Sequence, residues 1–381
     1  MLALWLYIAL AALQIFNPYQ GNPVVGVLGW MTDFMYVALF FVGFDLLRDE
    51  RSVRQLMWLT ATLGMVSAIS CLTEYWVGAE ELQRLYPTFV PLQVYSASGD
   101  YVSNRPTSLA PYIEIFGIAS MVGLLAMKGW WRAVLGVGIA LCVIASLFHA
   151  IRITWVVTFL FLALFTVLGR RKNLAGVLVV IMCVFGSIQV LDLDNSLLGE
   201  SLRSMSTPVQ TFQTNRLAGV LDFQRVVSDY PFGLGFGELS PGLRFLENRR
   251  NGTRLGTHNY MTDLAGQMSI LGPLLFVMFG CAVVYRGVRA LWRPEISASR
   301  TAALKTCLAL FGALLISFYG GGALGAYPSN EYFWLTAGII VRFTTTAFGV
   351  RRPRLARASA GTGADRHRRL GSAGMPIRAR A

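Results

Sequence analysis

The chain has 381 residues, 55% of them hydrophobic and 14% charged, and its mean hydropathy is +0.53. A soluble domain carries about 25% charge, so these figures exclude a water-soluble globular enzyme, and with it disorder, collagen and coiled coil. Of the net charge of +13, +8 lies in residues 351–381, which hold nine Arg and one Asp; a basic tail beside a membrane attracts anionic lipid at ~1 kcal/mol per residue near the surface, and no nucleic-acid partner is expected.

A hydrocarbon core of ~30 Å needs about 20 apolar residues per helix. Ten such runs lie near 1–17, 24–46, 54–77, 109–128, 130–149, 153–169, 173–191, 259–285, 303–326 and 330–349. The first starts at Met1 with no basic n-region and no small-residue cleavage site, so it reads as a span, or as the remnant of a later-assigned start, and not as a signal peptide. Cys71, Cys142, Cys183, Cys281 and Cys307 all fall inside apolar runs without metal-ligand spacing. They read as small buried hydrophobes, and no metal or cofactor is expected.

Basic residues set the orientation. Alternate connections hold Arg48, Arg51 and Arg54; Lys128 and Arg132; Arg170, Arg171 and Lys172; and Arg286, Arg289, Arg293, Arg300 and Lys305, whereas the short connections opposite hold only Arg84, Arg105 and Arg152. Both termini should therefore be cytoplasmic, with residues 192–257 facing outward. The expected architecture is all-α: a polytopic membrane domain over 1–350 with about ten transmembrane helices, one long outward loop near 192–257 carrying short interfacial helices, and a disordered basic cytoplasmic tail at 351–381, too poor in apolar surface to fold alone.

Polar residues concentrate on the outward side. Residues 78–108 include Gly99-Asp100-Tyr101-Val102-Ser103-Asn104-Arg105-Pro106-Thr107-Ser108. Loops as long as 192–257 are functional sites or disordered linkers. Within it, Leu217, Val220, Leu221 and Gln224, beside Arg216 and Arg225, have helical spacing. They predict an amphipathic interfacial helix ended by Tyr230-Pro231. Phe232-Gly233-Leu234-Gly235-Phe236-Gly237 follows, with glycines at alternate positions. Such a run lets backbone N–H groups approach an anion, and an ordinary turn-rich loop would look the same. His258, in Thr257-His258-Asn259-Tyr260, stands where the chain re-enters the membrane. It is either a general base with an ordinary pKa of ~6.5 or an interfacial ring with Asn259 as a cap.

Taken together, these segments resemble the O-antigen ligase and polysaccharide polymerase superfamily of bacterial inner-membrane proteins. Arg216 is followed fifteen residues on by Pro231 and then by Gly233, Gly235 and Gly237; His258-Asn259 precedes Gly272 by fourteen residues from the His. Arg105-Pro106-Thr107-Ser108-Leu109 with Pro111 and Gly117, and Arg152 after an apolar run, resemble two further Arg-bearing segments of the superfamily. The departures are Gln267 where an acidic residue is usual, Ser269 where Gly is usual, His149-Ala150-Ile151 where Thr-x-Ser is common, and fewer spans than in many relatives.

The resemblance implies transfer of a glycan from undecaprenyl diphosphate on the periplasmic side, metal-independent and with inversion. The acceptor is another lipid-linked glycan in a polymerase and lipid A–core in a ligase. Polymerisation of O-antigen or exopolysaccharide repeat units is preferred, because one modest outer loop is little to hold lipid A–core. Contacts with membrane lipids and with other polysaccharide export proteins are also expected. In these terms Arg216 and His258 are catalytic, His258 as proton acceptor for the attacking hydroxyl. Arg105, Arg152, Arg225, Arg254, Gly233, Gly235 and Asn259 bind the diphosphate or glycan. Guanidinium suits that role because it stays charged and binds phosphate bidentately. For Arg244, Arg249 and Arg250 a solvated or lipid-phosphate contact is preferred.

Asp192-Leu193-Asp194 could hold a cation but reads better as a polar stop at the end of a span. Glu114, inside a span, should pair with an arginine and hold it in place. Asp33 and Asp45 could be similar pairs, or Asp45 could face the cytoplasmic interface. A transporter is the rival class, but no internal repeat and no midplane polar cluster favours it.

Overall fold

The computed structural model describes residues 1–20, 22–47, 49–85, 92–95, 101–105, 113–125, 131–149, 152–169, 218–236, 260–293, 297–318 and 329–349. Its helices are those of a membrane-embedded protein. Among the described residues, four segments are long and apolar enough to cross a bilayer: Pro23–Asp45, Glu50–Val77, Leu271–Leu291 and Ala298–Ser317. Shorter apolar helices accompany them at Leu2–Gln14 and Ile113–Leu125, the expected count of ten is not confirmed, and the run 173–191 lies outside the described residues.

Local sequence accounts for most helix ends. Helix α1 (Leu2–Gln14) leads to α2 (Pro23–Phe34), where Asn22 accepts from the Val24 amide and Pro23 takes the first helical position. One 3₁₀ turn, Met35–Val37, joins α2 to α3 (Ala38–Asp45). Asp49 caps α4 (Glu50–Val77) by accepting from the Ser52 amide at 3.1 Å, and Gly78, at φ 89°, closes its far end. A short α5 (Ala79–Leu85) follows.

Where only loop was expected, β1 (Leu92–Tyr95) and β2 (Tyr101–Arg105) form an antiparallel hairpin with Arg105 opposite Leu92. The fold is therefore helical with one two-stranded exception. Then come α6 (Ile113–Leu125), α7 (Arg132–His149), α8 (Arg152–Gly169), α9 (Ala218–Asp229), α10 (Tyr260–Met268), α11 (Leu271–Leu291), α12 (Ala298–Ser317) and α13 (Ser329–Gly349).

The expected single span at 259–285 is broken in two. Ser269 lies between α10 and α11 at φ 61°, the left-handed region that side chains avoid, with its hydroxyl accepting from the Leu271 amide. Hydropathy does not register such a break, because the residues on both sides are apolar. The span expected at 303–326 begins five residues earlier, at Ala298, because Ser297 caps it by accepting from the Arg300 amide; the helix ends at Ser317.

Two glycine contacts hold the bundle at backbone distance. A Cβ on Gly64 of α4 would stand 2.7 Å from the Cα of Gly117 of α6, and one on Gly117 would stand 2.8 Å from the Cα of Gly64. On α13, a Cβ at Gly338 would meet the Phe40 carbonyl oxygen of α3 at 2.1 Å; on α3, one at Gly43 would meet the Leu335 oxygen at 2.4 Å. In lipid there is no hydrophobic drive between helices, so close approach through small residues supplies the packing. Between these pairs, Tyr7, Phe276, Phe279, Phe311, Phe333 and Trp334 form a continuous aromatic core.

The bundle has two distinct ends. At one, Ser297 and Ser299 donate to the Glu50 carboxylate, and Arg300 donates to the Phe343 carbonyl at 2.9 Å. Arg342 lies over the Phe44 ring there, and the charge of Arg286 acts on the N-terminal amine. This end thus gathers the N-terminus, the ends of α3, α11 and α13 and the starts of α4 and α12. At the opposite end lie residues 14–20, 230–236 and α10.

Candidate functional site

The segment that follows α9 is fastened by a set of hydrogen bonds across the chain. Gln14 Nε2 donates to the Phe232 carbonyl at 3.0 Å, and Asn17 Nδ2 donates to the Phe232 and Gly233 carbonyls at 3.2 and 3.1 Å. The Leu234 amide donates to the Gly266 carbonyl of α10 at 2.6 Å, and the Phe236 amide to the Gln14 carbonyl at 3.2 Å. Buried Gln20 donates its Nε2 to the Phe236 carbonyl at 2.7 Å, and the Phe236 ring packs edge-on against Phe34. Residues 230–236 therefore form a strap that ties α9 to both α10 and the end of α1.

This geometry explains the alternate glycines. Gly233 and Gly235 adopt φ 77° and 106°. A Cβ on Gly233 would stand 2.9 Å from the Gln267 oxygen and the Ser269 nitrogen, and one on Gly235 would stand 2.8 Å from the Gln20 Cβ. The Gly233 amide donates to the Tyr230 carbonyl at 2.9 Å, so the amides of Gly233, Leu234 and Phe236 all have carbonyl partners within the chain. The described part of this run shapes the loop, and Gly237 lies outside the described residues.

The predicted helix over 215–227 appears as α9, two to three residues later than its spacing suggested, and it ends at Asp229, immediately before Tyr230-Pro231. Val226 is buried, and the neighbouring Arg225 is exposed. Helix α9 packs on α10, which in turn packs on α11 and α1. Tyr260, the first residue of α10, lies 5.5 Å from the Phe276 ring and 5.8 Å from Phe318. The far side of that aromatic layer is α13, through Phe333 at 5.3 Å from Phe276 and 5.0 Å from Phe318.

The other expected residues are placed as follows. Arg105 ends β2 and Arg152 opens α8; of both, the backbone alone is described. Arg216, Arg254, His258 and Asn259 lie outside the described residues, as do Asp192 and Asp194. Glu114 is fully buried in α6, where its Oε1 accepts from the Ser67 hydroxyl of α4 at 2.7 Å. Asp45 is exposed at the basic end, in keeping with an interfacial position, and the Asp33 side chain is not among those described. Cys71, Cys142 and Cys307 are buried as expected, but Cys281 is exposed on α11; Cys183 lies outside the described residues.

Two polar residues escaped the sequence reading. Asn330 and Glu331, in the first turn of α13, keep their acceptor oxygens away from solvent and from hydrogen-bond partners among the described residues. The signal was a carboxylate opening an apolar run. Beside them Tyr332 stacks on Phe116 at 3.9 Å, and its hydroxyl lies 3.1 Å from the Thr60 hydroxyl. No family model, curated protein or solved structure matches the chain.

Proposed function

We propose that the chain is a membrane glycosyltransferase that moves a glycan from an undecaprenyl-diphosphate-linked donor on the periplasmic side of a bacterial inner membrane, polymerising O-antigen or exopolysaccharide repeat units. The observation that carries this reading is the packing of α9 on α10, locked by the strap between them. Arg216 stands two residues before α9 in the sequence, and His258 two residues before α10. One helix pair thus carries both motifs of the superfamily resemblance.

The chemistry is a single displacement at the anomeric carbon. The acceptor oxygen forms the new bond to that carbon as the bond to the diphosphate oxygen breaks. The leaving diphosphate takes the electron pair, and Arg105, Arg152 and Arg216 offset the charge that develops on it. His258 accepts the proton of the attacking hydroxyl, and Asn259 orients the imidazole. Arg225 and Arg254 extend the positive surface toward the glycan. Gly233 and Gly235 act indirectly, by seating the strap against α10.

In this orientation the end that gathers Arg286, Arg300, Arg342 and both helix bundle termini is cytoplasmic, as positive-inside charge requires. The strap end faces the periplasm. The reading also explains why residues 14–20 are polar between two apolar helices: Gln14, Asn17 and Gln20 supply the hydrogen bonds that hold the strap.

The test is gel analysis of surface and lipid-linked glycans from a strain lacking the gene. Single repeat units in place of long chains are the expected result. Long chains retained on undecaprenyl diphosphate would instead assign ligation to lipid A–core, and an unchanged pattern would remove glycan transfer altogether.

A further inference from the structure

We infer that the first turn of α13 is a sugar-hydroxyl subsite, in which Asn330 and Glu331 accept hydrogen bonds from the acceptor glycan; this rests on the glycan-transfer reading. Asn330 is only 6% exposed. Its Oδ1 and both Glu331 carboxylate oxygens are buried without a hydrogen-bond partner among the described residues. Buried polar atoms are nearly always satisfied, and those that are not call for a specific explanation. Here three acceptor oxygens lie on consecutive residues with no donor to them among the described residues.

The chemistry of that set selects its ligand. Buried acceptor oxygens, two of them on a carboxylate, repel phosphate and bind groups that offer O–H or N–H. A sugar ring offers several hydroxyls at once, and its C–H faces pack on aromatic rings. Aromatic rings adjoin the turn on two sides. Tyr332 stacks on Phe116 of α6 at 3.9 Å, and Phe333 packs on Phe276 and Phe318. Glu114, two residues before Phe116, brings a second carboxylate to the start of the neighbouring helix.

The position suits the acceptor. Tyr260 of α10 packs on the same Phe276 and Phe318 rings as Phe333 of α13, so the turn and the helix that follows His258 share one aromatic layer. The turn is also recessed: Tyr332 meets α4 at Thr60, and α4 continues seventeen residues beyond it to Val77, about 25 Å of helix. The arginines would then hold the diphosphate end of the donor, while an arginine-free acidic turn orients the attacking sugar.

The test uses the full-length protein in nanodiscs, with an oligosaccharide released by acid hydrolysis from the organism's own surface glycan as probe. Its binding is followed by saturation-transfer NMR and its use as acceptor by product chain length. Glu331→Gln, which keeps shape and removes the charge, and Asn330→Ala should each weaken oligosaccharide binding about tenfold or more. The donor KM should stay within about twofold, and thermal stability should be unchanged. Glu331→Asp should recover part of the binding. Equal binding by wild type and Glu331→Gln, or no binding by wild type, overturns the subsite. Wild-type protein that binds the oligosaccharide yet transfers nothing refutes the transfer reading and leaves the subsite standing.

Discussion

Replacing Gly233 with alanine tests whether the glycine run shapes the strap or cradles an anion. At φ 77° a side chain costs about 1–2 kcal/mol. The added Cβ would also stand 2.9 Å from the Gln267 oxygen and the Ser269 nitrogen, both backbone atoms that cannot swing aside; overpacking of that kind costs about 1–3 kcal/mol. The strap should therefore lose about 2–5 kcal/mol of local stability. Opening it frees the Leu234 amide from Gly266 and the Phe236 amide from Gln14. At about 1.4 kcal/mol per tenfold, hydrogen exchange at those two amides should accelerate roughly 30-fold to several thousand-fold. The peptide spanning 230–236, followed by mass spectrometry in nanodiscs, reports it directly. Unchanged exchange combined with weakened binding of a lipid diphosphate would refute the strap and restore the anion cradle.

Four further outcomes are expected. His258→Ala should lower kcat by about 10²–10⁴-fold with little change in donor KM, measured by repeat-unit transfer in proteoliposomes; a loss confined to KM would remove the general-base role. Ser269→Gly should leave stability within about 1 kcal/mol, because release from the left-handed region is offset by the chain entropy of glycine and by loss of the hydrogen bond from the Leu271 amide, and a Tm shift well outside that range would contradict it. Gly338→Ala should destabilise by about 1–3 kcal/mol because its Cβ meets the Phe40 carbonyl at 2.1 Å, whereas Gly136→Ala, with nothing within 4 Å, should be neutral or slightly stabilising; equal Tm shifts would argue against the glycine contact. Asp49 is held below the ordinary carboxylate range by hydrogen bonds from the Ser52 hydroxyl and amide. Its contribution is thus present above the unfolded pKa and fades as pH falls through the lower native one, so Asp49→Ala should flatten the acid limb of the stability profile and leave neutral pH behaviour similar in kind.

The apolar runs were legible where one run makes one helix. Residues 24–46 and 54–77 correspond to α2–α3 and α4, whose caps Asn22 and Asp49 stand in plain view. They misled at 259–285, because the break at Ser269 depends on a backbone angle and not on hydropathy. The hairpin of Leu92–Tyr95 with Tyr101–Arg105 was hidden because its alternation is short and was read with the polar segment around Gly99-Asp100. The glycine run was readable as special, but its purpose was not. The strap rests on partners such as Gln14 and Asn17, more than 200 positions away. Asn330 and Glu331 were passed over for a similar reason: their significance lies in missing partners, and a sequence records residues without recording what they fail to touch.

The backbone contact between α3 and α13 bears on how the chain is made. Gly43 and Gly338 are separated by nearly the whole described bundle, and each faces the other's helix at a distance that admits no side chain. Synthesis at about 5–20 residues per second leaves roughly 15–60 seconds between the emergence of the two halves of this contact. Throughout that interval the glycine face of α3 has only lipid, or a chaperone in the insertion machinery, to cover it. The last helix then acts as the closing stave of a barrel, and a ribosome that stalls before residue 329 releases a protein in which α3 has never met α13. Co-expression of a fragment ending at Arg293 with one beginning at Ser297 should therefore rebuild the bundle through the contact of α3 with α13.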